Sequence, residues 1–104
     1  MTAHEHIERF NAAVRSGDWR EFLATLAPDA VMSYDGVPVG PFVGRDAIAA
    51  AYQTNPPTDT MDVRRVEIDG DAEIVGFAWS RGGTGTLTIR RGAGGITGLA
   101  VVFD

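Results

Sequence analysis

Apolar positions along the chain recur at two periods, and the change of period divides it. Up to Tyr52 they are spaced three and four apart. Ile7, Phe10 and Val14 share one helical face, and Trp19, Phe22, Leu23 and Leu26 form a second stripe. Thr2 and Glu5 have capping-box spacing at the start of the first helix. "SGD" at 16–18 ends it, with Gly17 suited to the left-handed position past the helix and Asp18 to the cap of the next. Pro28 is expected to end the second helix. "DAVMSYD" (29–35) predicts a short strand that runs into a Gly/Pro-rich loop. A third helix is predicted over 45–52, with Ile48, Ala51 and Tyr52 inward, and "NPP" at 55–57 stops it.

From Met61 the period becomes two. "MDVRRVEI" alternates, but its apolar phase slips between Val63 and Val66, which requires an extra residue and predicts a bulge near Arg64–Arg65. "DGD" (69–71) is a hairpin signal, followed by strands at 72–79, 86–91 and 96–103 with glycine-rich turns between them. The order predicts a single α+β domain over 1–104, with helices on one face of an antiparallel sheet. In the last strand Leu99, Val101 and Phe103 take one face, while Ile96, Ala100 and Val102 take the other. Helices cover only one face of such a sheet, so the outer face is expected to meet a second copy in a homodimer.

Composition narrows the partners. The chain has 104 residues, 44% of them hydrophobic and 22% charged, which is globular composition. A net charge of −5 supplies no basic stripe, so neither nucleic acid nor an anionic membrane is an expected partner. With no cysteine, disulfides, thiol catalysis and cysteine zinc sites are excluded. "MTAHEHIERF" lacks the basic and apolar regions of a secretory signal, and no run of about 18 apolar residues occurs, so a cytoplasmic protein is expected. His4 and His6 stand at i and i+2, the wrong spacing for a helical metal pair, and are expected to be solvated at a frayed helix end. No metal and no cofactor are expected.

Three stretches in this order resemble the nuclear transport factor 2-like superfamily, in its SnoaL-like and ketosteroid-isomerase-like branch. They are "FNAAVRSGDWREFLATLAPDAVM" (10–32), "GPFVGRDAIAAAY" (40–52) and the glycine-turn strand pair from Gly85 to Phe103. The resemblance implies a cone: three N-terminal helices packed in the concave face of a curved antiparallel sheet, with a ligand cavity between. It also implies a carboxylate base at the end of the first strand, joined in the isomerases by a tyrosine on the first helix and a protonated aspartate on a late strand. Those positions fall here on Tyr34 (with Asp35 next to it), on Phe10, which has no hydroxyl, and near Thr86. Two of the three groups are absent, which speaks against steroid isomerisation by that mechanism.

Asp35 is the strongest single candidate for catalysis. An aspartate facing an apolar cone is desolvated, which raises its pKa and suits it to acid–base work near neutrality. Asp35–Gly36 is equally a turn dipeptide. Tyr34 is the second candidate, and because strand neighbours point to opposite faces, only one of the two looks inward. Phe10, Trp19, Tyr52, Thr86, Thr88, Leu99, Val101 and Phe103 are expected to line an apolar pocket, with Thr86 or Tyr34 as polar support. The expected function is binding of a small hydrophobic molecule, with proton-transfer chemistry through Asp35. The alternative is a non-catalytic homodimeric module whose cone is filled by its own side chains. A cavity of about 300 Å³ or more would favour the first.

Overall fold

The computed structural model describes residues 2–104. The elements are α1 (Ala3–Ser16), α2 (Arg20–Ala24), β1 (Leu26–Asp35), β2 (Phe42–Val43), α3 (Arg45–Thr54), β3 (Met61–Asp69), β4 (Ala72–Trp79), β5 (Thr84–Gly92) and β6 (Gly95–Phe103). Thr2 caps α1 by accepting the Glu5 N–H, and Gly17 closes it at φ 78°, its N–H bonded to the Ala13 carbonyl. The strands form one curved, unclosed sheet in the order β2-β1-β6-β5-β4-β3. The helices lie in its concave face. The side-chain amide of Asn11 bonds both the N–H and the carbonyl of Met61, each at 2.8 Å, and so fixes α1 to the start of β3. No helix among the described residues is long and apolar enough to cross a membrane.

The expected cone is present, but the sheet is mixed rather than wholly antiparallel. β3 to β6 form the antiparallel meander, whereas β6 pairs with β1 in parallel. After β1 the chain passes through α3 and crosses the whole sheet, so its last strand returns in the same direction as β1. The bulge near Arg64–Arg65 is present as a register shift between Val63 and Arg65.

Four local expectations are corrected. First, α2 ends at Ala24, before Leu26 and Pro28. Thr25 closes the helix onto the Phe22 carbonyl, and its own carbonyl accepts the Ile96 N–H at 2.9 Å, which draws the chain into the sheet. Pro28 then lies inside β1, in the irregular stretch between Leu26 and Val31 where no ladder N–H is needed. Second, Trp19 rather than Asp18 is the N-cap of α2, although Asp18 still accepts the Arg20 N–H. Third, Phe42–Val43 pairs with β1 inside the segment read as loop. Fourth, Ile96 is core, not outer face: a register shift in the β5–β6 ladder after Arg90 turns it to the side of Leu99.

Gly95 is the tightest point of this arrangement. Its φ is 122°, and a Cβ there would stand 2.7 Å from the Thr25 carbonyl oxygen. Gly17, by contrast, has open space around it. Urea unfolding should therefore show Gly17→Ala costing about 1 kcal/mol, the left-handed penalty alone. Gly95→Ala should cost about 3 kcal/mol or more, because backbone must also move. Equal losses would mean that the β1–β6 junction has slack.

Candidate functional site

Between the helices and the concave sheet lies a cavity of about 440 Å³. Its inner wall is apolar: Phe10 and Phe22 from the helices, Leu87, Leu99 and Val101 from the sheet. At the mouth, Tyr34, Phe103 and Trp79 form a row of near-parallel rings, with centroids 6.2 and 6.1 Å apart and interplanar angles of 19°. Trp79 and Phe103 come from β4 and β6, on either side of β5. They meet because β5 presents Gly85 between their strands, where a Cβ would stand 2.7 Å from the Phe77 ring.

The polar lining groups are few: Thr58 and Asp59, the two phenols and one imidazole. The Tyr52 hydroxyl donates to the Met32 thioether at 3.1 Å, and the Tyr34 hydroxyl reaches the same sulfur at 3.7 Å. Burial raises the pKa of both phenols. For Tyr34 the neighbouring Tyr52 hydroxyl opposes the rise; for Tyr52 the neighbouring Tyr34 adds to it. Both are therefore neutral donors across the physiological range. His6 supplies the imidazole. It is 2% exposed, lines the cavity and stands 5.2 Å from the Phe22 ring. Burial, then the positive charges of Arg91 and Arg9, lower its pKa from 6.5 to about 4. Asp59 lies at the mouth, but its carboxylate is taken up by the Ser80 hydroxyl and the Arg81 N–H.

Phe10, Tyr52, Leu99, Val101, Phe103 and Tyr34 all line the cavity. Asp35 does not. It is exposed opposite Val102 on the outward phase of β1, because the ladder with β6 runs unbroken from Val31 and Tyr34 takes the inward phase. Thr86 and Thr88 likewise pair with Val102 and Ala100 on the convex side, so neither supports the cavity. Trp19 packs behind Tyr52, ring centroids 4.5 Å apart, and does not reach the cavity. The expectation that His6 is solvated at a frayed end is wrong. His6 precedes Phe10 by four residues and Ala13 by seven, which puts it on the buried stripe of α1. That periodicity was the available signal; the i, i+2 spacing from His4 bears on metal binding and says nothing of burial.

The model of the SnoaL-like domain family matches residues 7–103. No curated protein matches the chain. Among solved structures it is similar to an NTF2-like protein of unknown function from Cytophaga hutchinsonii, with TM-score 0.75 and 15% identity over 100% of this chain and 91% of that one. It is similar to TerC, crystallised with polyporic acid, with TM-score 0.74 and 19% identity over 97% and 90%. A putative polyketide cyclase from Sinorhizobium meliloti gives TM-score 0.71 and 22% identity over 93% of each chain. At these identities the likeness is one of fold.

The lowered pKa of His6 ties stability to pH. The unfolded chain takes up this proton near 6.5, whereas the folded chain takes it up near 4. Stability from His6 is therefore complete above about 6.5 and is lost as pH falls towards 4, by about 3 kcal/mol in all. Denaturant midpoints measured across this window should fall less steeply for His6→Phe than for wild type. Parallel curves would mean that the ring is solvated.

Proposed function

This chain belongs to the SnoaL-like domain family, and we propose that it binds a small, neutral, largely apolar molecule in the cone, oriented by the Tyr34 and Tyr52 hydroxyls. The observation that carries this reading is the open cavity of about 440 Å³ with two phenols in its lining. A self-filled cone would have no such space. In the free protein both hydroxyls turn to a thioether, a weak acceptor. A ligand carbonyl offers a better one. Binding is favoured over proton-transfer catalysis, because no lining group is a free base of suitable strength. Asp59 is engaged, Asp35 lies outside, and an imidazole with pKa about 4 accepts a proton weakly.

A second copy is the proposed occupant of the convex face. Val31, Ala100 and Val102 lie there beside Thr86 and Thr88, and nearby charges such as Arg65 and Glu67 are paired within one chain. Burying that face against itself removes apolar surface.

A propionyl-dimethylaminonaphthalene dye, whose emission moves to the blue in a dry site, tests the cavity. Saturable binding with a blue shift is expected. Tyr34→Phe should weaken it about fivefold by removing one net hydrogen bond, and Asp35→Asn should leave it unchanged within about twofold. Absence of saturable binding would refute the reading. For the convex face, light scattering should give twice the 11.1 kDa chain mass. Val102→Glu should return the single-chain value, and a single-chain mass for the wild type would exclude the homodimer.

A further inference from the structure

A second hollow, of about 630 Å³, opens between α3 and the segment that follows β1. Val37, Val39 and Phe42 form one side and Ala47, Ala50 and Ala51 the other. Val37 and Val39 are 40% and 48% exposed, although both are apolar and sit in a loop that could have presented polar residues to water. This hollow is not separate from the cavity. Met32, Tyr34, Tyr52, Pro57 and Phe103 line both, so the two spaces meet at the pair of phenols. A mainly apolar compartment therefore lies on each side of the two phenols, with Thr58 lining the cone and Thr54 and Asn55 the groove.

We infer that the ligand is an elongated, two-part molecule, with a flat apolar head in the cone, a hydrogen-bond acceptor at its middle and an apolar tail along the groove between α3 and residues 37–42. This rests on the proposed binding in the cone and assigns what lies beyond it. Pro57 and Phe103 border the passage, and Met32 carries at that point the sulfur on which both hydroxyls converge. A carbonyl placed there receives the phenol donors while the chains on either side stay in apolar surroundings. The short side chains of Ala47, Ala50 and Ala51 keep the groove open. A larger residue at any of them narrows it without touching the cone, whose wall includes none of the three.

The test is a homologous series of the same dye, with the acyl chain lengthened from three to eight carbons. Each added methylene should tighten binding to the wild-type protein about fourfold until the groove is filled. In Ala50→Phe, which blocks the groove, the whole series should gain less than about twofold, and Val39→Asp, which puts a charge beside the tail, should do the same. Two exposed positions on different segments guard against misreading one that fails to fold. If the propionyl dye binds but longer chains gain nothing, or gain equally in both variants, the groove is not a tail site and the cone reading stands alone. If the propionyl dye does not bind the wild-type protein, both readings fall together.

Discussion

The parallel ladder between β1 and β6 joins the first third of the chain to its last strand, and the site depends on its register. Met32 faces Leu99 and Tyr34 faces Val101, so the inward phase of both strands builds one wall of the cavity. A strand has a side-chain period of two, and a slip of one residue would put Asp35 inside and Tyr34 outside. The partners are far apart in sequence, so their pairing carries a large loop-closure cost and gains nothing until the meander between them has formed. Gly95 sits where β6 enters this ladder, against the Thr25 carbonyl. One residue without a side chain thus allows the approach on which the inward phase of Tyr34 depends.

The helical side of the cavity rests on α1 and carries a polar cost. His6 is buried with its Nδ1 unpartnered among the described residues, and Arg91 beside it contributes a guanidinium that pairs with Glu73. Glu73 also accepts the Ala3 N–H at 3.1 Å, so a sheet carboxylate satisfies one of the free donors at the start of α1. Its negative charge offsets Arg91 close to a ring that cannot itself carry charge. A buried polar group without a partner costs on the order of 1–3 kcal/mol. A phenylalanine would pack against Phe22 at no such cost, so the imidazole is an expensive choice for a wall that needs only an apolar ring.

Local chemistry made much of this legible. The Thr2 cap, the Gly17 terminator, the hairpin turn at Gly70 and the bulge before Arg65 each follow from a few adjacent residues, and each is where the pattern puts it. What the pattern missed is set at long range. Leu26 fits the α2 stripe equally well, and only the claim of β6 on the Thr25 carbonyl takes it out of the helix. Ile96 changes face because a bulge near the end of the last hairpin has no phase slip long enough to read in so short a stretch. Tyr34 and Asp35 were distinguishable only as alternatives, since alternation says that they differ without saying which is inside. Threonines in β5 gave no hint of their side, because they suit either face of a sheet.

Charge finally limits what such a site holds. The phenols are kept neutral by burial, the imidazole is kept neutral by burial and by two arginines, and the one carboxylate at the mouth is engaged by Ser80 and Arg81. A charged ligand would lose its hydration and find no counter-charge inside, a cost of several kcal/mol. An anion would also approach against a net charge of −5. A neutral acceptor meets none of these obstacles and takes donors that otherwise rest on a sulfur. Selectivity in this cone therefore arises as much from what its walls fail to compensate as from the two hydrogen bonds they offer.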